Sequence, residues 1–251
     1  MSALAVSELE NLLRRQGLGS AVKTPDPARY PPVPTGFTEL DRLLGGGAPR
    51  GEIVACLGDL SAGCTSVGLS IAARATQRGE KAAYVDASDG FDPAGAARAG
   101  VELDRLLWVR CNARKANARR QAPGQRFGRP TQAAQAWKAT KILASSAAFE
   151  WIVLDLIGLA VNELREMQRS PWVGLRQAIA QGRTSVLVLA SEHVTGSTAA
   201  CTLRCKRRSA AWRGSRGPSV LLTGTSFEAS LESRRRGMGR ASSSCLLETR
   251  R

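Results

Sequence analysis

Residues 58–65, Gly58-Asp59-Leu60-Ser61-Ala62-Gly63-Cys64-Thr65, carry the pattern in this chain that speaks most directly to chemistry. The two glycines and the hydroxyl have the spacing of a phosphate-binding loop, GxxxxGK[ST], with a cysteine in the lysine's place. In such a loop the backbone amides cradle the phosphate chain, the lysine reaches the β- and γ-phosphates and the hydroxyl holds Mg²⁺. Cys64 carries no such charge. Gly58, Gly63, Cys64 and Thr65 therefore predict a nucleotide-binding fold whose own chemistry is impaired. No metal site is expected: Cys56, Cys64, Cys111, Cys201, Cys205 and Cys245 include no CxxC pair, and His193 is the single histidine. A structural zinc site draws on four such ligands with tight local pairing, so reduced thiols are the simpler expectation.

The elements around the loop suit its role. Residues 51–57 end in a short apolar run fit for a buried strand, and Val67, Ile71, Ala72 and Ala75 repeat at helical spacing after the loop. Strand, glycine loop and helix is the order in which backbone amides and a helix dipole meet an anion. Further along, strands are expected at 52–57, 82–86, 106–110, 151–156, 185–190, 200–212 and 218–231. The first five alternate with helical segments, which implies an α/β fold with a mostly parallel sheet flanked by helices. Leu9, Leu12 and Leu13 mark a short amphipathic helix over 1–16. Five prolines make 17–34 a linker, the core is expected over 35–236, residues 112–130 form the main insertion, and 237–251 read as a basic disordered tail.

With 251 residues and 43% apolar content, the chain can bury one substantial core. No stretch of about 18 apolar residues suggests a membrane span, and a cytoplasmic location is expected. The net charge is +15 and unevenly placed: residues 110–141 hold nine basic residues and no acids, and 201–251 hold twelve basic and three acidic. Clustered arginine of this kind suits a phosphate backbone or an acidic protein partner. Trp212 beside Arg204, Lys206, Arg207, Arg208 and Arg213 is the best candidate for stacking on a nucleic acid base.

In order and spacing these segments resemble the bacterial RecA recombinases. Thr35-Gly36, Leu40-Asp41, Leu43-Leu44-Gly45 and Pro49-Arg50-Gly51 resemble the stretch before that family's phosphate loop. Tyr84-Val85-Asp86-Ala87 and Asp92-Pro93 resemble the strand bearing its catalytic glutamate, and Trp151-Ile152-Val153-Leu154-Asp155 has the form of a Walker B strand, whose carboxylate orients Mg²⁺. The resemblance implies a RecA-like core. It also exposes departures. Ser88 falls where the family has the water-activating glutamate, a job no serine can do as a carboxylate base, and Ser191 falls where it has a γ-phosphate-sensing glutamine. With the lysine also gone, the resemblance predicts a protein that is not an enzyme, without a cofactor, although the backbone cradle leaves residual ATP binding open. The segment after Ser191 is short where the family carries a long DNA-contacting loop.

Residues 4–15, Pro34-Thr35-Gly36, Leu40-Asp41 and 45–51 further resemble the ImuA-type (SulA-like) proteins. That resemblance implies an accessory of the SOS response to DNA damage, acting in translesion synthesis and mutagenesis. The implied partners are RecA, a Y-family-like mutasome protein and a DnaE-type polymerase, met through the N-terminal helix and the basic region at 204–213. A DNA-binding recombination mediator and a weak DNA-dependent ATPase are the alternatives.

Overall fold

Five residues of strand β1, Ile53–Leu57, are buried at every position, as are those of β2, Ala82–Asp86, β4, Trp151–Asp155, and β5, Ser185–Ala190. Continuous burial of this kind belongs to parallel strands covered on both faces. β3, Leu106–Arg110, is only partly covered and ends the sheet. In the computed structural model, which describes residues 30–111, 131–168, 172–180, 182–214, 221–234 and 244–250, eight strands form one sheet in the order β3-β2-β4-β5-β1-β6-β7-β8. Every pairing from β3 to β6, Cys201–Arg213, is parallel. β7, Leu221–Arg234, and β8, Ser244–Arg250, add on antiparallel.

Alternate residues of each central strand face opposite layers. Val54, Cys56, Tyr84, Val153 and Leu187 pack with helices α1, Thr38–Leu44, and α2, Cys64–Gln77. Ile53, Leu57, Val85, Ile152 and Leu154 face the second layer, made by α4, Gln132–Ser146, α5, Val161–Gln168, and α6, Trp172–Ala180. The short α3, Pro93–Arg98, follows β2 and is capped by the Asp92 side chain. The Thr35-Gly36 to Asp41 stretch has a physical reason for its residue types: the Thr35 amide and hydroxyl each donate to Asp41 Oδ1 at 2.7 Å, fixing the entry into α1. No helix among the described residues is long and apolar enough to cross a membrane.

The predicted strands all form, with ends displaced by at most three residues. Two expectations are corrected. Residues 237–251 are not all disordered tail, because Ser244–Arg250 pairs with Gly224–Ser230 of β7 and buries Leu247 against the α2 layer. The sheet therefore runs beyond the expected core boundary at 236. At the other end, Val33 of the expected linker is buried and exchanges two backbone hydrogen bonds with Ala48 at 2.8 and 2.9 Å. The expected N-terminal helix over 1–16, with Leu9, Leu12 and Leu13, and the insertion over 112–130 lie outside the described residues.

Candidate functional site

The phosphate-loop residues sit where β1 runs out at the carboxyl edge of the sheet. Gly58 accepts no side chain: a Cβ there would lie 2.8 Å from the Cys205 carbonyl and 2.9 Å from Cys64 Sγ. Gly63 has φ 103° and is the N-cap of α2, and no side chain caps that helix end. A Cβ on Gly63 would strike the Phe227 ring at 2.4 Å. Phe227, on β7 and itself buried, thus packs against the loop's second glycine and meets Phe37 edge-on at 6.0 Å.

Cys64 opens α2 and is 2% exposed. Its sulfur lies with those of Cys56 on β1 and Cys205 on β6, all three within 4.8 Å of one another. Hydrogen bonds from Cys205 and then Cys56, helped by its own amide and by Arg204, outweigh burial and draw the Cys64 thiol down to about 5. The Cys56 thiol is pushed well up, by its hydrogen bond to Cys205 first and by burial besides. Thr65 in the next position is exposed.

Asp155 ends β4 and is 7% exposed. Both its oxygens are engaged, Oδ1 by the Ile157 amide at 2.9 Å and Oδ2 by the Tyr84 hydroxyl. Burial raises its pKa to about 6 against the lowering effect of those two bonds, with Asp86 and Cys64 adding to the rise. Asp86, opposite Asp155 in the β2–β4 register, accepts from the Gly90 and Phe91 amides at 3.0 and 3.1 Å and from Trp108 Nε1 at 3.2 Å. It ties down the turn that carries Ser88. Half-buried Ser88 lies beside Gly158, whose missing Cβ would be 3.6 Å from it. Ser191, also half-buried, follows directly on β5. Cys64, Ser88, Asp155 and Ser191 therefore share the carboxyl edge of four adjacent strands, β2, β4, β5 and β1.

Residues 4–117 match the family described as the RecA N-terminal domain. Over 158 residues the chain is 33% identical to Protein RecA of Nitratidesulfovibrio vulgaris, covering 62% of this chain and 39% of that protein. It is 37% identical over 130 residues to Protein RecA of Thermus thermophilus, covering 51% and 33%. Among solved structures, the RadB recombinase has a similar fold, with a TM-score of 0.56 at 18% identity over 87% of this chain and 95% of that one. The core is RecA-like. The chain spans about two fifths or less of the length of these curated relatives.

The RecA-like core offers a nucleotide part of what it needs. The uncapped start of α2 and the glycine loop suit a phosphate through backbone amides and dipole. The charges fit a Mg²⁺-triphosphate poorly: Cys64 brings no cation, and each oxygen of the buried Asp155 already accepts a hydrogen bond from within the protein. Arg204, whose charge is felt at Cys64, follows the register partner of Cys56 on β6 and is bonded to Glu232, with His193 Nε2 at 3.2 Å.

The basic candidates on β6 divide in two. Arg204 and Arg208 are engaged by Glu232 and Glu228. Lys206, Arg207 and Arg213 are exposed, and Trp212 is 61% exposed. Trp172, in contrast, is a core residue stacked edge-on to Trp137 at 4.8 Å. Sequence reasoning missed Tyr84 as the partner of Asp155, Cys56 and Cys205 as neighbours of Cys64, and Phe227 beside the loop. Tyr84 and Asp155 are 71 residues apart, and Cys56 and Cys205 are 149 apart, so no local pattern joins them.

Proposed function

We propose that this RecA-like protein is a non-catalytic accessory of DNA-damage-induced translesion synthesis and mutagenesis. It acts by binding a RecA recombinase, or the Y-family-like and DnaE-type components of a mutasome, and so modulates RecA-dependent recombination. One observation carries the reading. The side chain in the lysine's place is turned into the core beside Cys56 and Cys205, so the loop presents no cation to a β- or γ-phosphate. Ser88 and Ser191 leave the same edge without a carboxylate base or an amide sensor. A core related to a recombinase, without the means to turn over ATP, can still offer a recombinase its packing surfaces. That suits docking on a filament and limiting its growth or strand exchange.

The test combines the purified chain with a RecA recombinase, single-stranded DNA and ATP, and reads pull-down, strand exchange and phosphate release. The expected result is association with the recombinase, altered strand exchange and no phosphate release by the chain alone. Absence of association together with unchanged strand exchange overturns it.

A second reading, a DNA-binding recombination mediator, is favoured by the exposed part of the β6–β7 hairpin. Along β6, Trp212 and Arg213 are exposed at the strand's end and Lys206 and Arg207 further back, an aromatic and cationic combination suited to single strands. A gel shift at physiological salt, with and without those cations, separates it from recruitment through protein contacts.

A further inference from the structure

The three thiols beneath the phosphate loop are brought together by the fold alone. Cys56 comes from β1, Cys64 from the first turn of α2 and Cys205 from β6. Their exposures are 0%, 2% and 2%, and their sulfurs all lie within 4.8 Å of one another, Cys56 and Cys205 at 3.5 Å. The β1–β6 register sets Cys56 beside Leu203, two residues before Cys205. Cys205 therefore points to the same face of the sheet. Gly58 completes the enclosure, since any Cβ there would meet Cys64 Sγ at 2.9 Å.

A buried cysteine can serve as a small apolar residue, but three in mutual contact are also a preformed ligand set. Metal–thiolate bonds near 2.3 Å place three sulfurs around one ion about 4 Å apart, within the spread seen here. The donors are all soft sulfur. The group contains no histidine or carboxylate, and His193 is held on the surface between Arg204 and Glu232. Structural zinc sites are almost always four-coordinate, whereas thiolates alone also select copper(I). The start of α2 supplies dipole stabilisation to a thiolate at position 64, and the Arg204 guanidinium adds positive charge nearby.

We propose that Cys56, Cys64 and Cys205 form a three-sulfur binding site for copper(I). On binding, thiol protons leave to solvent and sulfur–copper bonds take their place, with no change of oxidation state. The ion ties the phosphate loop to β1 and to the root of the β6–β7 hairpin. The cysteine in the lysine's place then converts a loop built for phosphate into one wall of a metal site. This inference does not depend on the recombinase-accessory reading.

The test uses the reduced, full-length chain under anaerobic conditions, titrated with copper(I) against a chromophoric copper(I) chelator, with zinc(II) in a parallel arm. One equivalent of copper is expected to be retained, with sulfur-to-copper charge-transfer absorption and a raised melting temperature. Cys64→Ser and Cys205→Ser should each weaken retention at least tenfold, while Cys111→Ser and Cys245→Ser leave it unchanged. Should a serine variant fail to fold, the alanine variant at the same position, which keeps a small apolar side chain there, takes its place in the titration. Copper retained equally by the Cys64 and Cys205 variants, copper lost from the Cys111 or Cys245 variant, or zinc bound with copper refused would each overturn the site.

Discussion

The Tyr84 hydroxyl donates to Asp155 Oδ2 across the β2–β4 pairing, tying the Walker B-like carboxylate into the sheet it terminates. With the Ile157 amide on its other oxygen, Asp155 is held as a structural group. It is also an unfavourable place for a charge, since burial lifts its pKa from 3.8 to about 6. Between about pH 4 and pH 6 the folded protein holds a proton at Asp155 that the unfolded chain has released, so this group's contribution to stability falls as pH rises through that window and levels off above it. Asp155→Asn removes the titration. It is expected to be more stable than the parent at neutral pH by up to about 3 kcal/mol, with a flatter pH profile. Urea unfolding of parent and variant across the window measures both, and a parent-to-variant difference that does not widen as pH rises there contradicts the assignment.

A lysine at position 64 tests the proposed lack of turnover directly. Cys64→Lys puts an ammonium where the native side chain is 2% exposed and in contact with two thiols. The variant is expected to lose about 2 kcal/mol or more of stability, the cost of an unmatched charge in that position. It is expected to release no phosphate from ATP above background, because Ser88 and Ser191 still supply neither base nor sensor. Turnover in this single variant, read by phosphate release, would show that the other two positions matter less than proposed.

What was legible in the sequence depended on how local its cause was. β1, β2, β4 and β5 are buried on both faces, so each reads as an unbroken apolar run, and the parallel α/β order follows from the helices between them. β8 left no such mark. Leu246 is 55% exposed and Leu247 is buried, and serines and charges surround them; its strand conformation comes from the open edge of β7, a tertiary cause that overrides local propensity. The candidate site divides the same way. The glycine spacing at 58–65 announces the loop, but where the Cys64 side chain points is decided by Cys56 and Cys205, one of them on a strand far along the chain.

The corrected C-terminus gives a prediction of its own. Leu247 is 3% exposed and stands opposite Phe227, which packs on Gly63. Leu247→Ala should cost about 2–5 kcal/mol by opening a cavity over that ring, and ending the chain after residue 243 should cost at least as much. Chemical denaturation measures both. A tail without structure would leave the unfolding midpoint unchanged in either variant.

The exposed hairpin face separates its two kinds of cation. Lys206→Glu with Arg207→Glu alters side chains that project into solvent, so folding stability should stay within about 0.5 kcal/mol of the parent. If this face tracks a single strand, the slope of log affinity against log salt should fall by about 1.4, the share of two phosphate contacts. Trp212→Ala, at a position 61% exposed, should then weaken binding by about 1–3 kcal/mol through lost stacking. Arg204→Glu behaves differently: Arg204 is bonded to Glu232, so reversing it sets two carboxylates together and loosens the hairpin root. Salt-titrated binding and thermal melting on the same three variants distinguish contact from scaffold. An unchanged salt slope in the double variant removes this face as a nucleic acid contact and leaves protein partners as its use.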